Sequence, residues 1–481
     1  MFTELNSEIL YHARINYNNG QYFYGVKSFP MMKNIQRVHL LGLGGAGMSA
    51  LAKLLKADGF DVTGCDIKTP YYDTGSIPCM LGHSPEHIDT FRPEALILSS
   101  AVSRGNPEVL YAQNNGIKIF SRAQALSWLF NRSYGIGIAG AHGKTTTTSM
   151  TGLIFLKAGL NPTIYVGANV PDIGSNATAG GHHFIAELDE SDGTFELFTP
   201  DIAIITNADW DHVDHYATRD DVIAAFTRYA DGRKEGGTLI MCMEDEGASK
   251  VYELCSRTRG RILRYGWGKG WDIGAYDLRT NPGGGISFSV SRDGHELGRV
   301  SLTVSGEHNV LNSLAAISAA EICGIDFKTS AEILHGFHGS ERRMQVKGER
   351  DGVLVMDDYA HHPSEIRATL RAVRSIYPDK RLAVIYQPHR FSRTAMFAGD
   401  IAEALGMADK IFLLPVYSAG EEALEHSSSE EIIAHSRGSI QAVSFDDAVS
   451  VMKDTLKAGD IFLTMGAGDV YLIGEKFLNM N

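Results

Sequence analysis

The order of apolar and polar positions divides the chain into alternating strands and helices. Near Arg37 the run VHLLGLG reads as a buried strand, AGMSALAKLLKADG as a helix ending at Gly59, and FDVTGCD as a second strand, which together make a βαβ unit. ALILSSAV supplies a further strand, and this first segment closes near Asn131. A second segment opens with the strand YGIGIAG and runs through the strands HHFIAELDE and IAIITNAD. It ends in the helix HNVLNSLAAISAAEICG, whose apolar residues recur at helical spacing and whose stop signal is Gly324. A third segment begins near Met344 with strand GVLVMDDYA, helix SEIRATLRAVRSIY and strands RLAVIYQ, KIFLLPVY and DIFLTMG. Strands that alternate with helices predict an α/β protein with mostly parallel sheets.

Length and charge narrow this picture. At 481 residues the chain exceeds what one hydrophobic core supports, and three domains are expected. A net charge of -13 argues against a broad basic surface for nucleic acid, while leaving room for a local basic pocket that holds a small anion. The five cysteines (Cys65, Cys79, Cys242, Cys255, Cys323) form no C-x-x-C pair, so neither a disulfide framework nor a cysteine-rich zinc site is indicated, and a reducing cytoplasm fits. No apolar run approaches the roughly 18 to 20 residues of a membrane span, and no export signal is read at the N-terminus. Residues 1–32, polar and tyrosine-rich, read as an extension ahead of the first strand.

Two glycine-rich turns carry candidate chemistry. Gly42, Gly44 and Gly47 form G-x-G-x-x-G between a strand and a helix, with Asp66 at the end of the next strand. Glycines there let a backbone approach a pyrophosphate, so the turn fits NAD, another diphosphate ligand, or a purely structural turn. The stretch AGAHGKTTTT (139–148) resembles a phosphate loop, but Ile138 stands where G-x-x-x-x-G-K-[ST] has its first glycine. Gly140, Gly143, Lys144 and Thr145 still supply what a triphosphate needs: free N–H groups, an ammonium, and a hydroxyl for Mg²⁺. The bland alternative is a glycine turn followed by a capping threonine. Downstream, AELDESDGTF carries Glu187, Asp189, Glu190 and Asp192, and TNADWDHVDHY carries Asp209, Asp211, His212, Asp214 and His215. Acidic groups at strand ends beside a phosphate loop suit Mg²⁺, whereas His212 alone reads as a capping or hydrogen-bonding residue.

Taken in order, AGAHGKTTTT, AELDESDGTF, TNADWDHVDHY, GEHNVLNSLAA, ERRMQ, DDYAHHPSEI and QPHRFSRT resemble the motifs of the Mur ligases, the ATP-dependent ligases of peptidoglycan synthesis. The likeness runs from about Ile35 to the C-terminus and is nearest to the members that add L-alanine to UDP-N-acetylmuramate. The family's loop is typically G-T-H-G-K-T, so the absent glycine at Ile138 is expected, and Ala141 replaces a threonine. The resemblance implies a three-domain α/β architecture. Its parts would be a Rossmann-like UDP-substrate domain (33–132), a central P-loop ATPase-type domain (133–342) and a Rossmann-like C-terminal domain (343–481) that closes over ATP and binds the amino acid.

It also implies site roles. Gly140, Ala141, His142, Gly143, Lys144, Thr145 and Thr146 would surround the ATP phosphates, and Thr145, Glu187 and His212 would organise Mg²⁺. Asn309 and Asn312 would meet the adenine, Asp358 the ribose, and Arg343, with Arg342 as fallback, the γ-phosphate. Lys144, Glu187, His212 and Arg343 would form the catalytic set. Gly44, Gly45, Ala46, Gly47 and Ser49 would cradle the UDP diphosphate, with Asp66, Ser99 and Ser100 near the nucleoside. Tyr359, His361, His389, Arg390 and Arg393 would face the muramate and amino-acid end. A muramate peptide-recycling ligase, an NAD-dependent oxidoreductase and a non-catalytic UDP-sugar sensor stand as alternatives. Closure is expected to hinge near residues 340–346.

Overall fold

The run Arg37–Leu41 forms β1, buried from Val38 onward, and is joined by β2 (Asp61–Asp66), β3 (Cys79–Leu81), β4 (Ala95–Leu98) and β5 (Lys118–Ser121). All are parallel, in the spatial order β3-β2-β1-β4-β5. Strand order therefore reverses between β1 and β4, and the crevice beyond their C-terminal ends is where such sheets take ligands. The molecule is described from a computed structural model that covers residues 32, 34–70, 72–213, 215–255, 260–281, 284–424, 427–436 and 440–479. The expected extension, apart from Met32, and Asp214 lie outside the described residues. Residues 35–481 belong to one unit.

The second sheet contains β6 (Tyr134–Ala139), β7 (Thr163–Val170), β8 (Ser175–Thr178), β9 (His183–Glu187), β10 (Ile202–Ile205), β11 (Thr238–Cys242), β12 (Arg261–Trp267), β13 (Ile273–Thr280), β14 (Ile286–Arg292) and β15 (His295–Leu302). Its order is β15-β14-β13-β12-β11-β10-β6-β9-β7-β8, parallel from β13 to β7 and antiparallel at both edges. The central strands β10 and β11 are buried at every position, as expected of a sheet covered on both faces. Helices Lys144–Lys157 and Glu307–Ile322 pack together against it, contributing Met150, Leu153, Val310 and Leu314 to the core.

The first of these helices holds Thr147, Thr148, Ser149 and Thr151 in its buried part. Ser149 donates to the Thr145 carbonyl (2.6 Å) and Thr151 to that of Thr147 (2.7 Å), so these two hydroxyls are satisfied by the preceding turn, while Thr147 donates to Asn312 (3.2 Å).

The third sheet contains β16 (Gln345–Arg350), β17 (Val353–Asp358), β18 (Leu382–Tyr386), β19 (Lys410–Leu413), β20 (Ile440–Ala442) and β21 (Ile461–Met465), in the order β16-β17-β21-β18-β19-β20. Only β16 pairs antiparallel among the described residues of this sheet. The α/β fold class and the parallel sheets expected from the sequence are observed. The antiparallel β13–β15 extension and β16 are additions that the apolar pattern did not reveal. Among the described residues, no helix is long and apolar enough to cross a membrane.

Candidate active site

The phosphate-loop stretch links β6 to helix Lys144–Lys157. Gly140 has φ +145°, and a Cβ there would lie 2.0 Å from Thr206 Oγ1; Gly143 has φ +82°, and a Cβ there would lie 2.6 Å from Asn312 Oδ1. Both positions therefore require glycine. Between them, the His142 N–H donates to Asn207 Oδ1 (2.9 Å), and its carbonyl accepts from Thr206 (2.6 Å) and Asn207 (2.8 Å). This fixes the bend that presents the helix N-terminus, a ready anion site. Lys144 Nζ donates to the carbonyls of Gly140 (2.5 Å) and Ala141 (3.1 Å) and to Glu190 (2.9 Å). Burial would lower the Lys144 pKa, but Glu190 and Asp189 outweigh it and keep the ammonium charged. Thr145 is buried and donates to Glu187 (2.9 Å), whose other oxygen accepts from the Gly167 N–H (2.7 Å); Thr146 is half-buried.

His212 sits with its backbone at φ +53°, in the left-handed region, after β10. Its Nε2 lies 3.3 Å from Glu190, not Glu187, and its buried Nδ1 has no hydrogen-bond partner among the described residues. Burial would lower its pKa, but Glu190 and Asp211 raise it. Glu190 therefore joins Lys144 to His212, a role that the sequence left unassigned among four acidic neighbours. Asn312 accepts from Thr147 (3.2 Å) and donates to Asn309 (3.2 Å), so this pair lies against the loop-bearing helix, on one helical face as expected.

The third sheet meets this loop directly. Asp209 approaches His142 Nε2 (3.3 Å) and accepts from Ser364 (2.8 Å), while Glu365 approaches His142 Nδ1 (3.4 Å). The His142 and His362 rings lie 4.8 Å apart. Burial alone would lower the His142 pKa, yet bonds to Asp209 and Glu365 raise it to about 10. Arg393 and Asp211, each 4% exposed, form a fork with contacts of 2.9–3.0 Å. Arg343 reaches Glu365 (3.4 Å) and lies over Tyr359 (5.3 Å); burial would lower its pKa, but Glu365, Asp358 and Glu187 raise it.

Arg342, at φ +61°, turns the other way, to Asp357 and to the carbonyls of Gly466 and Gly468. Met344 follows at φ +45°, so two non-glycine residues within 340–346 hold left-handed conformations.

Asp358 is buried and accepts from the Met344 and Ala360 N–H groups and from Thr369, and burial raises its pKa to about 6. His361 and His389 lie 5.7 Å apart, and His389 stacks on Tyr417. Burial lowers their pKa values to about 3 and about 2, which keeps both rings neutral. Arg390 approaches Glu421 (3.4 Å).

At the first sheet, Gly44, Gly45, Ala46 and Gly47 form the turn from β1 into helix Ala46–Ala57, and the Gly44 N–H donates to Asp66 (2.9 Å). Ser99 and Ser100 follow β4, with Ser99 packed on Gly42. Ser49 is buried and bonded to Asn176 (2.9 Å) and the Ala46 carbonyl (3.0 Å), so it faces the second sheet. Arg122 crowds Gly47 and pairs with Asp189 (2.9 Å), placing a guanidinium between this turn and the acidic loop that no local motif signalled.

Three family models match: the "Mur ligase family, catalytic domain" over 37–134, the "Mur ligase middle domain" over 138–320 and the "Mur ligase, glutamate ligase domain" over 342–468. A UDP-N-acetylmuramate–L-alanine ligase of Desulforapulum autotrophicum is 36% identical over 94% of this chain and 100% of its own length. One from Desulfatibacillum aliphaticivorans is 38% identical over 93% and 99%. A solved UDP-N-acetylmuramate–alanine ligase of Thermotoga maritima superposes with TM-score 0.77 at 27% identity, covering 92% of this chain and 98% of that one. A murein peptide ligase of Psychrobacter arcticus gives TM-score 0.71 at 26% identity, covering 93% and 99%. The glycine-rich turn after β1, the phosphate loop and the Arg343 segment each fall inside a match, and the chain belongs to the Mur ligase family.

Proposed function

We propose that this chain is an ATP-dependent ligase that joins L-alanine to the lactyl carboxylate of UDP-N-acetylmuramate in peptidoglycan precursor synthesis, in the cytoplasm. The observation that carries this reading is the gathering of Lys144, Glu187 and Glu190 around one phosphate loop, with Arg343 of the third segment on Glu365, which itself meets His142 of that loop. In our reading the domains are 33–132, 133–342 and 343–481.

The lactyl carboxylate attacks the γ-phosphorus of ATP, ADP leaves, and an acyl phosphate forms. The amine of L-alanine then attacks the acyl carbon, phosphate leaves, and the nitrogen sheds its proton as the amide forms. Such a transfer depends on positioning and charge neutralisation. Lys144 and the N–H groups of the loop hold the β- and γ-phosphates, and Arg343 reaches the γ-phosphate from the third sheet. The Thr145 hydroxyl and Glu187 carboxylate, 2.9 Å apart, are hard oxygen donors that fit Mg²⁺, with His212 alongside. Bound there, Mg²⁺ supplies charge neutralisation for the phosphates. Asn309 and Asn312 flank the adenine, and Asp358 the ribose.

Gly44, Gly45, Ala46, Gly47, Asp66, Ser99 and Ser100 take the UDP moiety, with Ser49 fixing the turn from behind. Tyr359, His361, His389 and Arg390 face the reacting end, and Arg393 holds that wall through Asp211. His361 and His389, kept neutral by burial, orient substrate at this end.

The test is phosphate release from ATP and Mg²⁺ with UDP-N-acetylmuramate against a panel of amino acids and peptides. L-Alanine should support turnover. Turnover with a tripeptide and none with alanine would favour a peptide-recycling ligase instead.

A further inference from the structure

A second group of titratable side chains lies in the first sheet, away from the phosphate loop. His39 on β1, Cys65 on β2, His87 in helix Pro85–Phe91 and Glu108 in helix Pro107–Asn114 each offer one donor atom, and these atoms all lie within 4.8 Å of one another. His39, Cys65 and Glu108 are fully buried. The closest approaches are His39 Nε2 to Glu108 Oε2 at 3.0 Å, His87 Nδ1 to Glu108 Oε1 at 3.0 Å, and Cys65 Sγ to Glu108 Oε1 at 3.2 Å. The first pair is a buried ion-pair contact that lacks hydrogen-bond geometry, so among the described residues His39 Nε2 and Glu108 Oε2 are buried polar atoms without a hydrogen-bond partner. Such orphans are costly in a core and mark a missing partner.

We propose that His39, Cys65, His87 and Glu108 bind one divalent transition-metal ion of the zinc type in a closed, four-coordinate structural site.

A tetrahedral site with metal–nitrogen and metal–oxygen distances near 2.1 Å places neighbouring donors about 3.4 Å apart, so small rotamer shifts complete it from the spacing observed. The donor set of one thiolate, two imidazoles and one carboxylate selects zinc-like ions over Mg²⁺. A thiolate and a carboxylate, both fully buried, also carry two negative charges, which a divalent ion neutralises.

The surroundings fit a metal site. His39 Nδ1 lies 2.9 Å from Thr63 Oγ1, the kind of outer contact that fixes the tautomer of a ligating imidazole, and His83 Nδ1 lies 3.2 Å from Cys65 Sγ. The Cys65 carbonyl accepts from the N–H groups of Gly42 and Leu43 at 2.9 and 3.0 Å. The ion would therefore brace the strand on which the glycine-rich turn hangs.

The test is a Co²⁺ titration of chelator-treated full-length protein in excess Mg²⁺. Intense tetrahedral d–d absorption and a thiolate-to-cobalt charge-transfer band should saturate at one equivalent and be displaced by Zn²⁺. Cys65→Ser should lose the charge-transfer band and weaken Co²⁺ binding by more than about 100-fold, the upper end of what loss of an outer-shell partner costs. Thr145→Ala should titrate as the parent does. If Cys65→Ser fails to fold, His87→Gln, altered at a partly exposed ring, should weaken Co²⁺ binding by a similar factor. No visible band at one equivalent, a weak octahedral spectrum, or bands unchanged in the folded variants would overturn the proposal and leave a metal-free hydrogen-bonded network.

Discussion

The Asp211–Arg393 pair joins positions 182 residues apart and ties the loop after β10 to helix Phe391–Leu405 of the third sheet. Burial would raise the Asp211 pKa, yet Arg393 and His212 hold it well below the usual carboxylate range. Arg393→Ala would leave Asp211 buried without its countercharge, and Asp211→Ala would strand Arg393. Each loss should cost about 3–5 kcal/mol. The double variant removes both charges, so its cost should fall short of the sum by at least about 2 kcal/mol. Trp210 provides the reporter, because its ring meets Phe397 edge-on across the same interface at 6.2 Å. With the other three tryptophans (Trp128, Trp267 and Trp271) changed to phenylalanine, denaturant titrations of the four proteins read this contact alone. Additive single losses, within about 0.5 kcal/mol, would refute the claim that the pair couples the two sheets.

Other outcomes follow from the same geometry. Lys144→Ala should nearly abolish phosphate release while UDP-N-acetylmuramate still binds in calorimetry; retained turnover would remove the loop lysine from the mechanism. Thr145→Ala should raise the Mg²⁺ concentration needed for half-maximal rate, and an unchanged Mg²⁺ dependence would count against Thr145 as a ligand. The His142 pKa is raised from 6.5 to about 10, so the stability it contributes is complete below pH 6.5 and lost as pH climbs toward 10. Denaturation measured from pH 7 to 10 should fall by at most about 1.4 kcal/mol per unit in the parent and more gently in His142→Gln. Equal slopes would rule out the Asp209 and Glu365 contacts as the cause.

Features carried by neighbouring residues are legible in the sequence itself. Gly140 to Thr145 lie on one turn between a strand and a helix, and Asn309 and Asn312 lie one helical turn apart, so local rules place them. Arg342 and Arg343 show where those rules stop. The left-handed backbone at Arg342 sends its guanidinium toward Gly466 and Gly468, while that of Arg343 reaches Glu365, which meets His142 of the phosphate loop. Glu365 occupies a helix position where a sequence reads only an N-terminal cap, and it does cap, yet it also meets His142 and Arg343. Asp211 with Arg393, and the His39–Cys65–His87–Glu108 group, unite distant elements with no spacing rule to announce them.

The central claim is that ATP activates the muramyl carboxylate by phosphorylation at this shared site. UDP-N-acetylmuramate carrying ¹⁸O in both lactyl carboxylate oxygens, turned over with ATP and L-alanine, tests it by mass analysis of the products. One ¹⁸O atom in the released inorganic phosphate and one in the new amide is the predicted result. Phosphate free of label, or label appearing in AMP, would contradict it.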